Sequence, residues 1–198
     1  MGQPDQPERV SAEVRVGAVM TAPRYESVWA RGCIEKAFAA LRIPFNVSGG
    51  PFYGQCMQNA FESAVENGLQ YLIAVDFDSI FMADHVQRLL SIIVQEDQID
   101  AIAATQPMRG NGRMMSSHGT GEAETVEWTG YPIKVKFAHF GLTILDVSKF
   151  EAVPKPWFAS QPNDHGHWQG KKIDDDTWFW HQWDAAGNSL FVDPGLGS

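Results

Sequence analysis

Cysteine is nearly absent. The 198 residues hold two, Cys33 and Cys56. They lack CxxC spacing, which argues against a structural zinc site. Both fall in or beside predicted helices, where buried free thiols are expected rather than a disulfide. Long apolar runs are missing too, and none approaches the roughly 20 residues that span a bilayer. Residues 1–12 are polar, contain two prolines and have no signal-peptide core. They read as a flexible leader to one domain over residues 13–198, in a soluble, cytoplasmic protein. Positive charge is also scarce: 15 Lys and Arg stand against 24 Asp and Glu, a formal net charge of −9. This excludes a general binder of nucleic-acid polymers, which needs a basic face for phosphates. It leaves a single nucleotide open, because a metal ion can supply the missing positive charge.

Apolar residues are plentiful at 44%, with 12% aromatic, enough for a sizeable core and too many for a disordered chain. Their spacing gives the first half its pattern. A strand is expected over residues 14–20, broken by Thr21-Ala-Pro-Arg-Tyr25. Ala30, Ile34, Ala37, Phe38 and Leu41 then form one helical stripe. A short strand follows at 43–47, and Gly49, Gly50, Pro51 and Gly54 suggest a loop. Met57, Ala60, Phe61, Ala64 and Val65 line a second helix, stopped by Asn67-Gly68. Residues 71–75 are an unbroken apolar run suited to a central strand buried on both faces. A third helix carries Val86, Leu89, Leu90, Ile93 and Val94, and residues 99–104 make another strand. This alternation predicts an α/β fold with a mostly parallel central sheet flanked by helices. The second half is more mixed. A Gly- and Met-rich loop is expected over 107–121, strands at 124–128, 133–137, 141–147 and 190–192, a Pro-, Trp- and His-rich loop over 154–170, and a helix at 174–186.

Chemistry concentrates in two places. Asp76-Phe-Asp78 follows the central apolar strand, and ligands of open α/β sheets bind beyond the carboxyl ends of strands. Two carboxylates two apart on an extended strand point the same way and can converge on a hard cation such as Mg²⁺ or Mn²⁺. The bland alternative is a solvated turn or helix cap. Asp174-Asp175-Asp176 opens the last helix. Acids suit a helix N-terminus, but three exceed what a cap requires. Their mutual repulsion should raise a pKa, as a general base needs. Lesser candidates have simpler explanations. His165-Gly-His167 reads as a solvated loop rather than a zinc pair. Most of Trp157, Trp168, Trp178, Trp180 and Trp183 read as packing. His118 lies in the Gly/Met loop, and His139 stands close enough in sequence to Gly141 to reach a site there.

Four segments, in order, resemble GT-A fold glycosyltransferases of the family 2 type, close to compact phage or bacterial versions. They are Val16-Gly-Ala-Val-Met-Thr-Ala-Pro23; Gln58-Asn59-Ala60 with Gly68 to Asp78; Phe140 to Phe150 with Pro156-Trp-Phe158; and Asp175-Asp176-Thr-Trp-Phe179 with Trp183 to Gly187 and Leu190 to Pro194. The resemblance implies a Rossmann-like nucleotide-sugar transferase fold and transfer of a sugar, with inversion, from a nucleotide-diphosphate donor to a hydroxyl acceptor. A UDP-sugar is the first expectation for the donor. It implies that Asp76 and Asp78 hold Mn²⁺ or Mg²⁺. Thr21, Pro23, Arg24, Tyr25, Asn59, Asp76 and Phe77 would lie at the nucleotide, Gly141 and Trp157 at the acceptor. Asp176 would be the base, with Asp175 beside it. Gln58 departs from the family's usual Arg. The family's His ligand after the Val-Asp-Pro strand has no counterpart before Ser198, so either the domain is truncated at its C-terminus, a different His substitutes, or metal binding is weaker. Two other functions fit parts of the pattern: a Mg²⁺-dependent phosphohydrolase of the haloacid-dehalogenase type using Asp76 and Lys172, and a non-catalytic nucleotide- or glycan-binding protein of the same fold.

Overall fold

Alternation of side chains along the central strand splits the interior into two cores. In β3 (Tyr71–Asp76), Leu72 and Ala74 face one core, while Ile73 and Val75 face the other. In β4 (Ala101–Ala104), Ala101 and Ala103 join the first core and Ile102 the second. Such a strand must be covered on both sides, and it is. Helices α1 (Val28–Leu41) and α3 (Ala83–Gln95) pack on the second core, and α2 (Tyr53–Glu66) and α4 (Asp175–Ala185) on the first. The computed structural model describes residues 14–23, 27–105, 116–117, 130–168 and 172–196.

The sheet has seven strands in the order β2-β1-β3-β8-β4-β9-β6. The remaining members are β1 (Val16–Ala22), β2 (Phe45–Gly49), β6 (Ile133–Val135), β8 (Thr143–Asp146) and β9 (Leu190–Asp193). Neighbours β2, β1 and β3 are parallel, as are β4 and β9. β8 lies antiparallel between β3 and β4, and β6 is antiparallel to β9 at the edge. The mostly parallel sheet flanked by helices is thus present. A small ribbon joins β5 (Ser116–Ser117) to β7 (Phe137–Ala138).

Several boundaries move from those expected. β1 runs on through Thr21 and Ala22 because both pair with β2, and Thr21 pairs with Asp76 of β3. Gly54 belongs to α2, which begins at Tyr53. The expected 133–137 strand divides, with Phe137 turning to pair with β5. The 124–128 strand and His118 lie outside the described residues, as do Arg24 and Tyr25. Both cysteines are free.

Aromatic rings build the first core. Phe61 of α2 has Phe140, Phe150, Phe158 and Phe179 around it at centroid distances of 5.0–5.9 Å. Trp180 stacks on Phe140 at 5.1 Å and donates its indole N–H to the Ala138 carbonyl at 2.6 Å. On the far side of the sheet, Arg88 of α3 grips the fully buried Asp193 of β9 through two nitrogens. No helix among the described residues is long and apolar enough to cross a membrane.

Truncating Trp180 removes a large buried ring and the bond that holds Ala138. Trp180→Ala is expected to cost about 3–5 kcal/mol in urea unfolding; a loss under about 1 kcal/mol would show that the ring is not a keystone of this core.

Candidate active site

The side-chain parity that builds the core also aims the acids. Thr21 follows Val19, and Asp76 follows Ala74, so both project to the face covered by α2 and α4. Side by side in register, Thr21 Oγ1 donates to Asp76 Oδ1 at 3.3 Å. The first residue of α2 completes the clamp: Tyr53 OH donates to the same oxygen at 3.2 Å. On α4, Asp176 lies three, four and seven residues before Phe179, Trp180 and Trp183, all buried. The acid therefore sits on the core-facing stripe of its helix and is carried inward with it.

Burial pushes the Asp76 carboxyl up from its ordinary value. The bond from Tyr53 opposes this, while the charge on Asp176 adds to it. The Tyr53 phenol is raised well above its ordinary range, by burial first and then by the charges of Asp76 and Asp176, with a further contribution from Asp175. A tyrosine so placed stays a donor. Desolvation at the strand end is thus what raises Asp76.

The three acids of α4 part company. Asp174 is the N-cap residue but makes no side-chain cap bond; its Oδ1 meets Lys172 Nζ at 2.8 Å. That pairing draws Lys172 toward α4, whereas the phosphohydrolase alternative would use it beside Asp76. Asp175 lies against the first turn of α2, where a Cβ on Gly54 would come within 2.6 Å of Asp175 Oδ1. The N-cap of α2, Phe52, offers no side-chain acceptor, and an anion suits this positive helix end. Asp175 therefore sits where the first turns of the two helices meet. Asp176 accepts from the Thr177 amide on Oδ1 at 2.8 Å, and its Oδ2 lies 3.1 Å from His139 Nδ1.

Several expected site residues stand elsewhere. Asp78 does not continue the strand: the chain turns at 77–78, with Ser79 N bonded to the Asp76 carbonyl at 3.2 Å. Period-two alternation therefore does not set its direction, although the turn keeps it beside the strand end. Thr21 is fully buried and holds Asp76 instead of lying open to a ligand. Asn59 is exposed in a groove of about 410 Å³ with Asn46, Ser48 and Ser63, along the flank of α2. Trp157 is corrected from acceptor-facing to core: it is 3% exposed and its indole N–H bonds the Val153 carbonyl at 3.0 Å. Gln58 fixes this segment by accepting from the Trp157 and Phe158 amides at 2.9 and 3.3 Å. Gly141 is buried in the turn entering β8; Pro23 and Phe77 are half-buried. His165 and His167 sit in an exposed turn organised by Asn163. Tyr53 gave no signal in sequence beyond being an aromatic at a predicted loop end.

Among the described residues, no three His, Cys, Asp or Glu side chains form a metal cage. Asp76 and Asp78 nevertheless suit Mg²⁺ or Mn²⁺ in kind. Mg²⁺ is commonly held by one or two carboxylates plus substrate phosphates, and a nearby cation would relieve the raised carboxyl of Asp76.

No family model matches the chain, and no curated protein matches it in sequence. Its fold is similar to that of A197 from STIV, with a TM-score of 0.63 and 11% identity over 90% of this chain and 81% of that one. It is also similar to CMP:2-keto-3-deoxy-manno-octonic acid synthetase complexed with CTP, with a TM-score of 0.51 and 8% identity over 90% and 88% of the two chains. Apo UDP-glucose pyrophosphorylase aligns at a TM-score of 0.44 and 15% identity, over 90% of this chain and 72% of that one. The first two likenesses are of fold: a Rossmann-like α/β sheet of the kind seen in a nucleotide-sugar enzyme.

Two substitutions test the site's electrostatics. Because the native Asp76 pKa lies above the unfolded one, the native state binds more protons between those two values, and stability falls as pH rises through that window. Asp76→Asn is therefore expected to raise the unfolding midpoint at neutral pH, with the gain vanishing once pH drops below the unfolded carboxylate value. Helix propensity alone would favour Gly54→Ala by about 1 kcal/mol. The close approach of Asp175 reverses this, and a lower midpoint is expected in thermal melts.

Proposed function

We propose that the protein is a metal-dependent glycosyltransferase that moves a sugar from a nucleotide-diphosphate donor, a UDP-sugar first, to a hydroxyl acceptor with inversion. The observation that carries this reading is Asp76. It is a carboxylate of raised pKa at the carboxyl end of a central parallel strand, clamped by Thr21 and Tyr53, with a second acidic centre at Asp176 on a separate helix. Sugar transfer needs two such centres. One serves the diphosphate, where negative charge builds as the leaving group departs; the other serves the acceptor hydroxyl, which must lose a proton. The CTP bound by the structurally similar synthetase and the four-segment resemblance favour a nucleotide at the first centre.

In this reading Asp76 and Asp78 would hold Mn²⁺ or Mg²⁺, whose charge would offset that of the departing diphosphate. Thr21 and Tyr53 fix the position of the Asp76 carboxylate. Pro23 and Phe77 would lie toward the nucleotide, and Gly141 would mark the acceptor side. The acceptor proton is taken up at the Asp176–His139 pair, on a different element from Asp76. Asn59, on the flank of α2, has no part in this scheme.

Thermal unfolding of metal-stripped protein with UDP, GDP, CDP or dTDP, each with and without Mn²⁺, tests the proposal. One nucleotide, with UDP expected, should stabilise the fold only with Mn²⁺, by about 2.7 kcal/mol at a hundred times its Kd. Asp78→Ala should abolish the shift. If no nucleotide moves the midpoint under any condition, the transferase reading fails. A shift without turnover of any nucleotide-sugar would make the protein a nucleotide binder of this fold.

A further inference from the structure

His139 stands on the acceptor side of this site with its ring oriented and its backbone pinned. Its Nδ1 is 3.1 Å from Asp176 Oδ2. The preceding carbonyl, of Ala138, accepts from the Trp180 indole, and the His139 carbonyl accepts from Thr143 Oγ1 at 3.1 Å. The ring meets Phe137 edge-on at 5.0 Å, and the next residue, Phe140, is stacked on Trp180. A histidine fixed by two backbone bonds, an aromatic edge and a carboxylate has lost most of its freedom to turn. That loss of freedom serves a group that must meet a reacting atom in one orientation.

The two members of the pair differ in what they can still do. Both Asp176 oxygens already face a donor, the Thr177 amide on Oδ1 and the imidazole on Oδ2, and the side chain is 16% exposed. The imidazole is 33% exposed. In the neutral tautomer that donates Nδ1–H to the carboxylate, Nε2 carries the lone pair. The charge of Asp76 also acts on both members of the pair.

We propose that His139 is the group that deprotonates the acceptor, and that Asp176 is its positioning partner rather than the base itself. This rests on the transferase reading above. The acceptor O–H bond breaks and its proton bonds to Nε2 of His139. The acceptor oxygen bonds to the anomeric carbon as the bond from that carbon to the diphosphate oxygen breaks, and the electron pair leaves with the nucleoside diphosphate. The imidazolium, held by Asp176, then returns its proton to solvent. The arrangement has the logic of a carboxylate–histidine dyad, assembled from the turn before β8 and the first turn of α4.

The test combines turnover with a direct view of the ring. Nucleoside diphosphate release is followed with UDP-, GDP-, CDP- and dTDP-sugars, Mn²⁺, and a free hexose or water as acceptor. His139→Ala is expected to lower turnover about 10²–10⁴-fold, to bind UDP with Mn²⁺ as the wild type does, and to recover at least tenfold when imidazole is added. Asp176→Asn should lose activity to a similar degree, because an amide facing Nδ1 favours the wrong tautomer. Nitrogen NMR of histidine-labelled wild type should show His139 protonated on Nδ1, changing in Asp176→Asn. Turnover of His139→Ala within threefold of wild type overturns the proposal, as does a wild-type ring protonated on Nε2. Failure of the transferase reading looks different. Wild type would then release no nucleoside diphosphate from any donor while the ring still carries its proton on Nδ1; the dyad would stand and its reaction would belong to another class.

Discussion

The contact between α2 and α4 through the Phe61 cluster is what the rest of the site depends on. The sheet alone brings Thr21 and Asp76 together, since they are partners in register. Tyr53 arrives on α2, and Asp175 and Asp176 arrive on α4, from opposite ends of the sequence. Only packing can fix their relation. Phe61 on one helix meets Phe179 on the other at 5.4 Å, with Phe140 and Phe158 between the strands and both helices. Rings of this size each bury about 150–250 Å², or about 4–6 kcal/mol of transfer free energy at 25 cal/mol per Å². Edge-to-face geometry adds direction, so the helices settle in one relative position. The first turns of both helices then meet at Gly54 and Asp175, where the absence of a Cβ lets the carboxylate close in.

That packing is asked to hold together a set of like charges. Asp76, Asp175 and Asp176 converge in a chain already at −9. The protein offsets the repulsion locally with Tyr53 and Thr21 hydroxyls on Asp76 and the imidazole on Asp176. Two acids elsewhere are matched by cations: Asp193 by Arg88, and Asp100 by Lys149 with the Ser189 amide. The contrast is informative. Burial raises the Asp100 carboxyl less than Lys149 and Ser189 lower it, so it ends below its ordinary value, whereas Asp76 ends above. Sites that retain electrostatic tension against stability are where function is expected.

Local regularities made much of this legible in the sequence. The stripes of α1, α2 and α3 and the apolar run of β3 were readable because each follows from its own period. Parity does not reach Asp78, because the strand ends at Asp76, and the break expected at Thr21 comes only after Ala22, since Thr21 and Ala22 pair with β2. Trp157 looked available but is claimed by the core, since Gln58, far away in sequence, anchors its amide. The insertion of β8 between β3 and β4 was invisible, because strand order is set by long-range pairing. His139 offered only proximity to Gly141; its partnership with Asp176 exists because Trp180 hooks Ala138, a contact no spacing rule contains.

The antiparallel β8 strand has a consequence for how the chain reaches this state. As the ribosome delivers β1, β2 and β3 with α1 and α2, those elements can pair at once. β3 then presents an open edge, and β4 emerges with no neighbour to join, because its place is two strands away from β3 rather than beside it. Until residues 143–146 are made, the nascent sheet exposes unpaired amides and carbonyls along its most apolar strand, the condition under which strands pair with the wrong chain. Completion of the sheet is therefore a late, long-range event that a slow folding phase would report, and the turn carrying His139 forms only with it.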